Sequence, residues 1–352
     1  MRKVGSLWLP EPPNILRRRT IEAKDPIALK IGVKGRIYVD LIDAATGIIK
    51  RHLEFDNIIT DAGLNGFWNA GSTLTGRMSW AAVGTDSTAP ATSQTALGAE
   101  ISPSATHRTN SNGGITDVTT FVGASNYWKL VRTFVFVEAQ ANGNLTEIGI
   151  FNQQASGGDM WCRQLFKDGV GTPTTVVKTS SDQLRVTYEY RFFYPSADFS
   201  GTVTISAVVF DYNVRPNDVD NASGSWATGL TALNSSSICG PSGVANNGTA
   251  KVREGNALVA NTSDLAGAGG SAVSATSTSL ASYSNGNFYR DATATWEPGD
   301  GNFATGIGSM LIGYGGSLNI PLLFQVNFPN AQITKDNTKR LTITYRIAFQ
   351  RH

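Results

Sequence analysis

From Leu184 to Phe192 the chain alternates strictly. Leu184, Val186, Tyr188, Tyr190 and Phe192 are apolar or aromatic, and Arg185, Thr187, Glu189 and Arg191 stand between them. A helix, with its period of 3.6, cannot put these two sets on separate faces, whereas a strand does so by construction. The stretch therefore predicts a strand with one buried face and one wet face. The same alternation returns at Leu341, Ile343, Tyr345, Ile347 and Phe349, a constant 157 positions later (341 less 184). No amphipathic segment of helical period reaches ten residues, so the fold class is all-β, of sandwich type.

Further strands follow from the same rule. Lys34-Gly-Arg-Ile-Tyr-Val-Asp-Leu-Ile-Asp43 and Ile48-Ile-Lys-Arg-His-Leu-Glu-Phe55 flank the turn Ala44-Ala-Thr-Gly47 and predict a hairpin. Short helix propensity is confined to Ala62-Gly-Leu-Asn-Gly-Phe-Trp68, with Thr60 or Asp61 as its cap. Ser79-Trp-Ala-Ala-Val-Gly84, Val131 to Val137, Leu145 to Phe151, Trp161 to Phe166 and Gly201 to Tyr212 each read as a strand. Landmarks before the two alternating strands recur in order. Arg132-Thr-Phe-Val-Phe, Gly143-Asn144, Ile148-Gly149 and Leu165-Phe166 find counterparts in the Arg290 to Trp296 run, Gly301-Asn302, Ile307-Gly308 and Leu322-Leu323. This predicts two tandem, internally duplicated β-sandwich domains of jelly-roll-like type with a shared or adjacent sheet. The expected division is an extended N-terminal arm over 1–30, a β-hairpin and short helix over 31–69, one sandwich over 70–210 and its relative over 211–352. The Ser/Asn/Gly-rich stretch 221–249 serves as a link or long loop.

The arm is expected from its prolines. Pro10, Pro12, Pro13 and Pro26 disfavour helix and central strand, and Arg17-Arg18-Arg19 offers an anchor for an acidic surface. The same prolines interrupt the short apolar run that follows Arg2-Lys3, which argues against a signal peptide. No apolar stretch of 18 or more residues predicts a membrane span. Charged residues are 16% of the chain, below the usual quarter or so, so Ser, Thr, Asn and Gly must cover its surface. A formal net charge of +2 excludes a strongly basic nucleic-acid binder at the level of the whole chain. Two cysteines, Cys162 and Cys239, make no disulfide framework and read as small buried side chains.

The residues offer little chemistry. The three histidines, His52, His107 and His352, are far apart, and no GxSxG, HExxH or P-loop accompanies them. Asp211, Asp218 and Asp220 do not have the spacing of a calcium loop and read as turn residues. Glu138, Glu147, Asp159 and Glu189 are available as carboxylates, but no spacing rule selects a pair for glycoside hydrolysis. Glu147 reads as a structural hydrogen-bond acceptor. Trp128, Trp161, Trp226 and Trp296 lie near loops or strand ends, where aromatic rings stack on sugars or fill subunit interfaces. The expectation is a chain that is not an enzyme, with no catalytic, cofactor-binding or metal-binding residues and no cofactor.

One ordered string of segments carries a resemblance. It runs Phe55-Asp-Asn-Ile-Ile-Thr-Asp-Ala-Gly-Leu64, Ala82-Val-Gly-Thr-Asp-Ser-Thr-Ala-Pro90, Arg132-Thr-Phe-Val-Phe and Gly143-Asn-Leu-Thr-Glu-Ile-Gly149. It continues through Cys162-Arg-Gln-Leu-Phe-Lys-Asp168, Thr172-Pro-Thr-Thr175 and Asp182-Gln-Leu-Arg-Val-Thr-Tyr-Glu189. The string, over about 55–215, resembles structural proteins of tailed bacteriophages, of the tail or tail-fibre-associated type. The resemblance implies a multi-copy virion component without catalysis. The expected function is thus a virion protein of the tail or the head-to-tail neck (collar or fibre attachment), assembled as a symmetric oligomer. Its expected partners are copies of itself and other tail, neck or capsid proteins. The alternatives are a head decoration or head-fibre protein and a receptor- or glycan-binding tail module, with a host surface glycan as partner. No specific nucleic-acid binding and no membrane partner are expected.

Overall fold

The computed structural model describes residues 2–4, 7–9, 19–68, 78–101, 108–110, 120–155, 157–217, 219–220, 250–260, 271–314 and 322–352. The stretch 221–249, with Trp226 and Cys239, lies outside them, as do His107 and Asp218. The described chain is nearly all β, as the alternation predicts.

At the N-terminus β1 (Arg2–Val4) and β2 (Leu7–Leu9) pair antiparallel, and among the described residues only with each other. The extended arm expected over 1–30 joins the main sheet from Arg19 onward. β3 (Arg19–Glu22) and β4 (Ile27–Asp43) are built into the main sheet. Ile21, Ala23, Ile27, Leu29, Ile31 and Val33 are all buried. Pro26 hides this alternation in the sequence, but it sits in the short break between the two strands and takes no ladder bond from either. β4 is the spine of the molecule. Its partner β5 (Ile49–Ile59) returns from the predicted turn, where Gly47 has φ +71°.

The helix α1 (Asp61–Gly66) starts where expected, with Thr60 as its cap accepting from the Gly63 amide at 3.0 Å. The Thr60 hydroxyl also donates to the Met160 carbonyl. Two glycines let the helix lie against the strand below it. A Cβ on Gly63 would stand 2.4 Å from the Trp161 carbonyl oxygen, and one on Gly66 2.8 Å from the Trp161 ring.

The first half continues with β6 (Trp80–Gly84), β7 (Thr109–Asn110), β8 (Thr120–Val122), β9 (Tyr127–Phe136), β10 (Gly143–Leu145), β11 (Glu147–Phe151), β12 (Met160–Leu165), β13 (Val176–Lys178) and β14 (Asp182–Phe193). One layer runs β8-β9-β14-β4-β5 and the other β5-β12-β11-β6-β7. β5 belongs to both, pairing with β4 up to Asn57 and with β12 through Ile58 and Ile59. The Thr109 hydroxyl donates to the Val135 carbonyl at 2.9 Å and brings β7 round to β9. Leu184, Val186, Tyr188, Tyr190 and Phe192 face the interior, each about 1% exposed or less, as their alternation requires.

The second half comprises β15 (Phe199–Ile205), β16 (Val208–Pro216), β17 (Ala250–Arg253), β18 (Ala272–Ser274), β19 (Ser277–Leu280), β20 (Tyr289–Trp296), β21 (Ser309–Tyr314), β22 (Leu322–Asn327) and β23 (Lys339–Arg351). One layer is β15-β16-β22-β21-β17-β18, and the other is β19-β20-β23 with β3 alongside. Two corrections to the sequence reading follow. The single strand expected over 201–212 is a hairpin, turned at Ser206 and Ala207 with φ +48° and +69°. This mirror-image turn ordinarily recruits Asn-Gly, so a Val/Ile-rich run interrupted by Ser-Ala gives no turn signal. The expected boundary at 210/211 falls inside β16, because β16 pairs with β22 of the later half.

Several strand pairings recur in the two halves. Phe136 faces Leu184 across β9 and β14, and Trp296 faces Leu341 across β20 and β23. Glu147 lies between Gly84 and Leu165, and Ser309 between Arg253 and Asn327. Buried Lys178 donates through Nζ to the Val137 carbonyl (3.0 Å) and Asn142 Oδ1 (2.9 Å). Buried Lys335, 157 positions later, donates to the Glu297 carbonyl (2.8 Å) and Asn302 Oδ1 (2.9 Å). Each ammonium pins the turn that follows the strand. The aligned landmarks differ from those read in the sequence. Arg132 faces Tyr188, but Arg290 faces Ile347, the counterpart of Tyr190. Leu165 corresponds to Asn327, not Leu322.

The halves are joined by β4. Its first residues pair parallel with β23 (Ile27 with Tyr345 through Val33 with Arg351), and its later residues pair antiparallel with β14 (Gly32 with Phe193 through Asp43 with Asp182). One hydrophobic cluster runs through both halves. At the junction Phe67 stacks on Phe349, centroids 4.2 Å apart, and packs edge-on against Trp161 and Phe192.

Candidate functional site

The residues singled out for chemistry are spread across the molecule, and the described ones are engaged in holding it together. His52 Nδ1 lies 2.6 Å from Asp40 Oδ1 on the wet face of β4 and β5, and Asp40 also takes the Arg185 guanidinium at 2.7 Å. His352 stacks on Phe193 with centroids 3.8 Å apart. Glu138 accepts from the Gln183 amide, and Asp159 Oδ2 accepts from Asn152 Nδ2 at 3.3 Å. Glu189 is held between Lys129 (3.2 Å) and Arg191 (2.5 Å). Asp211 accepts from Asn330 Nδ2. Among the described residues no group of three His, Cys, Asp or Glu side chains is placed to hold a metal ion.

Glu147 is the most constrained carboxylate. It is fully buried and accepts from Arg163 Nε at 2.7 Å and from the amides of Ala99 (2.8 Å), Gly98 (3.1 Å) and Asp86 (3.4 Å). Arg163, equally buried, also reaches Asp86 Oδ2 and Gln94 Oε1 at 2.9 Å and the Thr88 carbonyl at 3.1 Å. With every acceptor direction of Glu147 met by a donor, the group acts as a staple for the loop over 85–99, the structural role read from the sequence. Arg108 plays a similar part nearby. It grips Glu100 at 2.7 Å and the Gln153, Ala155 and Gly157 carbonyls, with its guanidinium 3.9 Å from the centre of the Phe151 ring.

The aromatic residues near strand ends are core residues. Trp128, Trp161 and Trp296 are at most 2% exposed, so none of the three presents a face for stacking on a sugar. Cys162 is buried beneath Tyr188, and burial pushes its thiol up to about 12, far from a reactive thiolate.

What the surface does present is an apolar groove of about 580 Å³ at the end of the second half. Ile21 of β3, Ile205 and Phe210 of the β15-β16 hairpin, and Ile333 form its walls, with Val208 and Lys339 at the rim. Val208 and its neighbour Val209 are 54% and 62% exposed, two consecutive apolar side chains open to solvent. The groove also carries an unpaired strand edge. β22 covers β16 only from Asn213 to Pro216, and Asn330 reaches Asp211, so among the described residues no strand pairs with the outer edge from Val208 to Phe210. An open edge beside an apolar trough is a template for an added extended segment. Sequence reasoning missed this site because it read β15 and β16 as one strand. The run Val208-Val209-Phe210, apolar at consecutive positions, was the available signal. Comparison with protein-family models, with curated proteins and with solved structures finds no match for this chain.

Proposed function

We propose that this chain is a structural component of a tailed-bacteriophage virion, of the tail or head-to-tail neck, that assembles as a symmetric oligomer. The observation that carries the assembly part is the open, apolar strand edge of β16 at the root of the N-terminal segment. An edge of this kind exposed on a free monomer is an aggregation hazard, whereas in an assembly it is an interface. The virion setting rests on the resemblance of the segments between Phe55 and Glu189. The strand pairings that recur in the halves support reading them as a duplicated unit, in which one chain supplies two similar β-bodies to a ring.

Two measurements test the proposal. Mass photometry of the purified full-length chain should give a defined oligomer. Immunogold labelling of phage particles with an antibody to the chain should mark the tail or neck. A monomer at micromolar concentration together with unlabelled particles overturns the reading. Label on the head surface replaces it with the head-decoration alternative.

A further inference from the structure

We infer that the groove beside β16 seats the Leu7-Trp8-Leu9 strand of a second copy of this chain. The inference rests on the assembly reading above and names its partner surface. The groove combines an open strand edge with an apolar trough, and so calls for an extended apolar segment. The chain has such a segment in β2, which pairs with β1 alone in a two-stranded ribbon. A two-stranded ribbon is at best marginally stable in water and gains from a third strand.

The connection is also suitable. Thr20 and Ile21 line the groove, so the N-terminal segment leaves the body at its rim. The nine residues from Pro10 to Arg18 reach at most about 30 Å when extended. Each copy would then offer a strand to one neighbour and accept one from another, a heterologous contact that closes into a ring when the rotation allows.

The test uses full-length protein and two single-cysteine additions, Trp8→Cys and the groove-lining Val208→Cys, in a Cys239→Ser background. Cys162 is buried and can stay. The two variants are co-expressed and oxidised gently. The expected result is a covalent dimer that forms in the mixture and not with either variant alone. In a chain carrying both changes, an internal crosslink without a doubling of mass means that the ribbon sits in its own groove, and overturns the inference. So does an absence of crosslinking in either format. As a second readout, Val208→Glu, a change at an exposed position that leaves the core intact, should weaken oligomerisation at least tenfold. If the wild type is oligomeric but neither crosslinks nor responds to Val208→Glu, the groove assignment falls and the assembly reading stands. If the wild type is monomeric, the assembly reading falls with it.

Discussion

Replacing Arg163 with methionine tests whether the loop staple is a coupled unit. The change leaves the Glu147 carboxylate fully buried with only backbone amides as donors, and removes the bonds to Asp86, Gln94 and the Thr88 carbonyl. Stranding one member of a buried ion pair costs about 3–5 kcal/mol. Glu147→Met strands Arg163 less completely, since Asp86 remains at 2.9 Å, but it orphans the Gly98 and Ala99 amides, at about 1–3 kcal/mol each. The double variant carries no stranded charge, so its cost should fall below the sum of the singles by at least about 2 kcal/mol. Urea denaturation of all four proteins, followed by tryptophan fluorescence, closes the cycle. The singles should also show faster hydrogen exchange at Gly98 and Ala99 while amides of β14 stay protected. Additivity within about 0.5 kcal/mol would refute the reasoning, because the carboxylate and guanidinium would then be independent.

Three further outcomes are expected. Lys50 bonds Asp43 (2.8 Å) and Asp182 (2.7 Å), and with Thr46 and Thr179 it holds both carboxyls down to about 2. These groups add stability above the ordinary aspartate value of about 3.9, and it is lost as pH falls towards 2. Lys50→Met should therefore flatten the acid limb of the stability curve, and an unchanged limb would count against the assignment. Replacing Ser206-Ala207 with Asn-Gly suits the positive φ of both residues and should raise stability by about 0.5–1 kcal/mol in urea melts, whereas a loss would mean the turn is of another type. Phe349→Ala removes the ring stacked on Phe67 and should cost about 3–5 kcal/mol. Because one core joins the halves, fluorescence and far-ultraviolet circular dichroism should still report a single transition, and two separated transitions would show that they fold independently.

The parts of this fold that were legible in the sequence obey local rules. The alternation of Leu184 to Phe192 fixes its own buried face, and Thr60 before Asp61-Ala-Gly announces a capped helix. The hairpin ending at Gly47 carries its turn residue in plain view. The illegible parts depend on distant partners. Nothing near Ile27 says that it will lie beside Tyr345, and Pro26 obscures the alternation that would place β3 and β4 in the sheet. The recurring landmarks were visible in the sequence, but the register of their strands was not. Insertions between strands shift the matching landmarks by different amounts, so Leu165 aligns with Asn327 only once the ladders are seen. Glu147, among the residues considered for chemistry, could be read as structural from its place after a turn. Its partner Arg163, on the neighbouring strand, could not.

The pairing of both β3 and β4 along β23 has a mechanical consequence. A pull on the N-terminal segment is directed along the axis of β3, whose ladder with β23 runs parallel from Arg19 to Glu22 and resumes from Ile27 to Val33. Tension along a strand loads its cross-strand bonds in shear, so they bear it together, while a sideways pull would peel them open one at a time. β4 itself continues without a break into the antiparallel ladders with β14 and β5, which lengthens the set of bonds that must yield at once. A neighbour that holds this chain by its N-terminus grips it along its most tear-resistant direction.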